Sequence, residues 1–153
     1  MCGIAGLFTH DAGATIDHSV LTRMRDAMRH RGPDGAGIWN DDGVGLAHRR
    51  LSVIDVEGSP QPMHSGDGRA VITFNGEIYN YRELRRELEQ GGAVFRTDGD
   101  TEVILAAWQK WGPDCLRRFD GMFAFALYDC AARRLFLVRD RFGVKPLYLA
   151  RLE

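Results

Sequence analysis

An α+β domain, with sheets held between helical layers, follows from two patterns in this 153-residue sequence. Apolar residues recur at three- and four-residue spacing in two capped stretches, the mark of helices that bury one face. Further on, "MFAFALYD", "CAARR" and "LFLVRD" read as a β-hairpin whose strands are apolar on both faces, so the sheet needs cover on both sides.

Taken in order, Ile4 to Thr9 is short and apolar, a first strand. Ile16, Val20, Met24, Ala27 and Met28 then repeat at helical spacing, with Asp17 as cap and Gly32-Pro33 as stop. "VGLAHRRLSVI" (44–54) and "VITFN" (71–75) are strand-like, and the polar stretch "EGSPQPMHSGDG" between them is a long loop of the kind that carries sites. Asn80 with Glu83 reads as a capping box for a helix through Gln90, closed by Gly91-Gly92. The next helix starts near Asp100-Thr101, puts Ile104, Ala107, Trp108 and Trp111 on one face and stops at Gly112-Pro113.

A chain of this length buries roughly 70% of the surface its unfolded form exposes, so it folds without staples. Lys and Arg number 20 against 21 Asp and Glu, a formal net charge of -1. That balance points away from nucleic acid or an acidic membrane as partner and towards a small substrate. Cys2, Cys115 and Cys130 form no CxxC pair, and an odd count argues against a disulfide framework. A cytoplasmic location is expected, since no apolar run approaches the ~20 residues of a membrane helix and the N-terminus lacks the basic region of a signal peptide. Five histidines show no metal-ligand spacing, so no metal site is expected.

The opening "MCGIAGLF" puts a cysteine directly behind Met1. If Met1 is removed, Cys2 carries both a thiol and a free α-amine. A thiol is only a few per cent ionised at neutral pH and needs a base. An α-amine, with a typical pKa of about 7.7 to 8.0, can accept that proton. By itself a cysteine here is more often a small buried hydrophobe. Six further stretches change that reading: "RHRGPDGAGIW" (29–39), "HRRLSVID" (48–55), "FNGEIYNYREL" (74–84), "DTEVILAAW" (100–108), "GMFAFALYD" (121–129) and "RDRFGVKPLY" (139–148). Together, across the whole chain, they resemble the class II glutamine amidotransferases and, within them, the asparagine synthetases.

The resemblance implies an αββα N-terminal-nucleophile hydrolase fold in which Cys2 attacks the side-chain amide of glutamine. It also implies Asn75 and Gly76 as the oxyanion hole, Arg50 and Asp100 as ligands of the α-carboxylate and α-ammonium, and Leu51, Val53, Ile54 and Glu77 as further pocket residues. The residues fit these roles chemically. Amide attack places negative charge on oxygen and calls for fixed donors. An amino-acid substrate needs one cation and one anion at a distance from the nucleophile. Each residue has a plainer reading as well. Asn-Gly ends strands in turns, Asp100 sits where an N-cap belongs, and strand alternation sends Arg49 and Arg50 to opposite faces, one to a pocket and one to solvent.

The expected activity is therefore the glutaminase half of a glutamine-hydrolysing asparagine synthetase. Residues 1–153 are expected to be the amidotransferase domain, cut before its last strands. The expected partners are L-glutamine and a C-terminal synthetase domain, absent here, on which ATP and magnesium activate aspartate; this chain needs no cofactor. Homodimerisation is left open. Two other readings stand beside it, an amidotransferase domain feeding a different acceptor and a non-catalytic glutamine-binding module if Met1 is retained.

Overall fold

The computed structural model describes residues 1–11, 13–55 and 58–151. In chain order the elements are β1 (Gly3–Phe8), α1 (His18–Ala27), β2 (Gly35–Asp41), β3 (Val44–Arg50), β4 (Met63–His64), β5 (Ala70–Ile78), α2 (Tyr81–Gln90), α3 (Asp100–Trp111), a 3₁₀ turn (Gly112–Arg118), β6 (Gly121–Asp129) and β7 (Arg134–Arg139). Every strand pair is antiparallel, giving one sheet ordered β1-β3-β2 and a second ordered β4-β5-β6-β7.

Period-two alternation divides the side chains between two cores. Ile72 and Phe74 of β5 and Phe123, Phe125 and Leu127 of β6 pack with Leu84 and Leu88 of α2 and Val103, Ile104 and Ala107 of α3. Their neighbours Val71, Ala126 and Tyr128 point the other way and meet Val44 and Leu46 of β3. The second sheet is thus buried on both faces, by helices and by the first sheet, while α1 packs with its buried Leu21 on the outer side of the first sheet. These are the α, β, β and α layers expected.

Local details depart from the sequence reading where a side chain found a better partner. Asp17 caps α1 as expected, accepting from Ser19 N–H at 2.7 Å. Asn80 makes no capping bond. Its amide instead donates to Arg118 C=O (2.9 Å) and accepts from Asp120 N–H (3.0 Å), which ties the start of α2 to the entry of β6. The N-cap of α3 is Gly99, so Asp100 is freed from capping. The strand expected over 44–54 ends at Arg50, and β2 and β4 were not foreseen as strands. β7 is an edge rather than a doubly covered strand, with Leu137 41% exposed.

His48 is fully buried between the sheets, its Nδ1 3.0 Å from Thr73 Oγ1 of β5 and its Nε2 without a partner among the described residues. Burial, reinforced by the Arg50 cation, pushes its pKa down to about 3. A histidine held neutral in the fold but free to ionise when unfolded stabilises fully above its unfolded pKa, and that contribution is lost as pH falls below about 6.5. Unfolding free energy should therefore drop with a slope of up to about 1.4 kcal/mol per pH unit from this one proton between pH 6.5 and 3. Denaturant titrations of a His48→Gln chain should lack that increment; an unchanged slope would dissociate His48 from acid sensitivity.

Candidate active site

Cys2 lies at the head of β1, in the sheet whose central strand ends at Arg50. Leu51, the residue that leaves β3, reaches back to it: its N–H is 3.4 Å and its C=O 3.6 Å from the Cys2 sulfur. Arg31, in the turn after α1, donates its Nε–H to Cys2 C=O at 3.2 Å. The nucleophile candidate is thus held at its backbone by one cation and at its sulfur by the main chain of one residue, Leu51, and it remains partly exposed.

Asn75, Gly76 and Glu77 come from the other sheet. They are not a strand-ending turn, because β5 runs on to Ile78 and all three pair with β6, Gly76 opposite Phe123. A Cβ on Gly76 would lie 2.2 Å from Met122 O and 2.6 Å from Phe123 Cα, so only glycine allows the two strands to stay this close. The Asn75 side chain, 4% exposed, makes no hydrogen bond among the described residues, which leaves its amide donor for a ligand.

Asp100 opens α3 with its carboxylate buried, accepting from Ile78 N–H at 3.0 Å. Burial raises its pKa to about 6 and the Glu77 carboxylate adds to that, against the backbone N–H donors that lower it. A buried anion poised this way gains from an incoming cation. Arg50 donates to the carbonyls of Ile54 and Asp55, which folds the segment after β3 back over the strand end. Its neighbour Arg49 does not meet solvent as alternation suggested; it is 8% exposed, with its guanidinium 4.0 Å from Asp26 of α1.

All nine residues expected at the site, Cys2, Arg50, Leu51, Val53, Ile54, Asn75, Gly76, Glu77 and Asp100, line one cavity of about 140 Å³. That is smaller than the roughly 300 Å³ at which drug-sized sites begin, and suits a small polar molecule. Seven further lining residues had no role in this pocket assigned from sequence. Gln61 donates to Thr101 Oγ1 and accepts from Phe74 N–H, bridging loop, helix and strand beside the cavity. Ser59 comes from the same polar loop, flagged for carrying sites without naming which residues. Lys145, 5% exposed, places Nζ 2.9 Å from the Met1 sulfur. It is set there by Asp140, whose carboxylate accepts the N–H groups of Phe123, Phe142, Val144 and Lys145. The signal was present in "RDRFGVKPLY", where an acidic residue precedes a Gly-containing turn. Among the described residues no group of three or more His, Cys, Asp or Glu is placed to hold a metal ion, and no helix is long and apolar enough to cross a membrane.

Comparison with known proteins bears on the fold and the family. A solved structure of the glutamine phosphoribosylpyrophosphate amidotransferase of Bacillus subtilis superposes with a TM-score of 0.64 over 84% of this chain and 35% of that one, at 20% identity, and so supports the N-terminal-nucleophile hydrolase sandwich as a fold. A putative glutamine-hydrolysing asparagine synthetase of Mycobacterium bovis is 48% identical over 98% of this chain and 25% of its own length. Asparagine synthetase 1 of Bacillus subtilis is 46% identical (97% and 24%), and asparagine synthetase B of Escherichia coli 42% identical (97% and 27%). The chain spans about a quarter of the length of these curated relatives. A family model described as a glutamine amidotransferase domain matches residues 1–153 from end to end, and with that match the chain belongs to the glutamine amidotransferase family.

Proposed function

We propose that this chain hydrolyses the side-chain amide of glutamine to glutamate and ammonia, as the glutaminase part of an asparagine synthetase. One observation carries the reading: the Cys2 sulfur opens on the same cavity as an unengaged Asn75 amide, with a cation, Arg50, and a buried anion, Asp100, on its walls. An amino acid with a γ-carboxamide has the complementary groups. With Met1 removed, the Cys2 amine takes the thiol proton and the sulfur bonds to the amide carbon. The oxygen becomes an anion, held by the Asn75 amide and the Gly76 N–H. The same amine returns the proton to nitrogen, the carbon–nitrogen bond breaks and ammonia leaves a thioester. Water, activated by the amine, then attacks the thioester, so that glutamate departs and the thiol is restored.

The relatives are named glutamine-hydrolysing asparagine synthetases, and we propose that the ammonia made here serves aspartate, activated with ATP and magnesium on a C-terminal synthetase domain. The chain freed of Met1, confirmed by intact mass, should release glutamate and ammonia in equal amounts without ATP, aspartate or magnesium. No glutamate release would overturn the hydrolase reading. Met1 itself lines the cavity and touches Lys145, so a chain that keeps Met1 should be inactive, its amine being an amide.

The elevated pKa of Asp100 gives a sign to the pH dependence of binding. Above about pH 6 it is an anion and pairs with the substrate ammonium; below, it is protonated and the pairing is lost. At pH 5, about one unit down, glutamine should bind roughly tenfold more weakly than at pH 7. Calorimetry across this range would show the loss, and an Asp100→Asn chain should bind weakly throughout. A wild-type affinity that stays flat from pH 7 to 5 would contradict the role.

A further inference from the structure

Arg50 and Asp100 reach the cavity across a gap, one from the end of β3 and the other from the start of α3. Asp55 bridges it. Its main chain is left-handed, at φ 49°, which turns its carbonyl towards Arg50 while its carboxylate faces away. The Arg50 Nη2 donates to that carbonyl. The carboxylate accepts from Gly58 N–H at 2.9 Å, Ser59 Oγ–H at 2.8 Å and, across the loop, Asp98 N–H at 3.0 Å. Asp98 is two residues from Asp100. Between them Gly99 packs so closely that a Cβ would lie 2.4 Å from Ser59 Oγ. Apolar burial does little to order this loop, since Val53 is 65% exposed.

We propose that Asp55 is the positioning residue that sets the distance between Arg50 and Asp100, coupling recognition of an α-carboxylate to recognition of an α-ammonium; this rests on reading the cavity as a glutamine site. One residue holds the cation through its carbonyl and the helix start bearing the anion through its carboxylate. A ligand that carries both charges at a fixed spacing is favoured over one that carries a single charge. Burial opposes ionisation of Asp55, but the Ser59, Asp98 and Gly58 donors outweigh it and hold its carboxyl below the usual carboxylate range, so the bridge is ionic at neutral pH.

The test is a comparison of two ligands by calorimetry in a Cys2→Ala chain: glutamine, and 5-amino-5-oxopentanoate, which keeps the amide and carboxylate but lacks the ammonium. Asp55→Ala should weaken glutamine by roughly tenfold, the weight of one charge-assisted contact, and the second ligand much less, so that discrimination between them shrinks. In an Asp100→Asn background Asp55→Ala should weaken glutamine no more than it weakens the second ligand. Equal losses for both ligands, the mark of general loosening, or additive effects in the double variant, would overturn the coupling. If Asp55→Ala does not fold, Asp55→Asn keeps the volume and one acceptor but opposes Asp98 N–H with an amide, and should shift discrimination the same way; unchanged discrimination overturns the proposal. If the chain that keeps Cys2 releases glutamate yet Asp55→Ala leaves discrimination unchanged in the Cys2→Ala background, only the positioning role is lost, whereas no glutamate release from the first and no glutamine binding by the second would remove the underlying reading with it.

Discussion

Cys2→Ala is expected to abolish glutamate release while leaving the fold intact. The sulfur's hydrogen-bond partners are the main-chain N–H and C=O of Leu51, and the side chain is only partly buried, so alanine removes little packing. No other thiol can stand in. Cys115 is fully buried, its pKa pushed to about 12 by burial with Asp114 adding to it, and Cys130 is also raised by burial. Without a covalent step the remaining groups can bind and polarise the amide but supply no nucleophile as strong as a thiolate. Glutamate measured by a coupled assay should fall to the background of the no-enzyme control, and glutamine should still bind. Turnover persisting above that background would remove Cys2 from the mechanism.

Asn75→Ala is expected to lower kcat by roughly 10² to 10³, the usual loss when one oxyanion donor goes. The geometry argues for an effect on rate over one on binding. The Asn75 amide has no structural bond to lose, and its strand is held by β6 along its whole length. Steady-state kinetics separates the cases, since a raised KM with kcat preserved would make Asn75 a ground-state contact only.

How much of this was legible in the sequence depends on the residue. Helix faces and the β6–β7 hairpin follow from periodicity, because burial on one or two faces leaves a local pattern. β2 and β4 were missed for the opposite reason. "GAGIWND" is glycine-rich and polar at its end, and β4 is too short to show any period. Capping was half legible: Asp17 behaves as its position suggests, whereas Asn80 and Asp100 were claimed by distant backbone groups at Arg118, Asp120 and Ile78. The site residues came from resemblance, and their convergence could not be read from spacing, since two sheets and a helix contribute. Asp55 acts through such distant contacts and carried no local sign of it.

The seam between the sheets also has a consequence for the order of events in synthesis. Cys2 leaves the ribosome before the other residues proposed for catalysis and binding, yet the proposed oxyanion donors Asn75 and Gly76 lie on β5 of the opposite sheet and the anion that would anchor its substrate on α3. Until the two sheets dock through contacts such as His48 with Thr73, that cysteine is an ordinary thiol with no pocket beside it. Reactivity is therefore withheld from the nascent chain and granted only to one that has completed its sandwich, so recovery of activity on refolding reports the docking of the sheets and not the formation of either one.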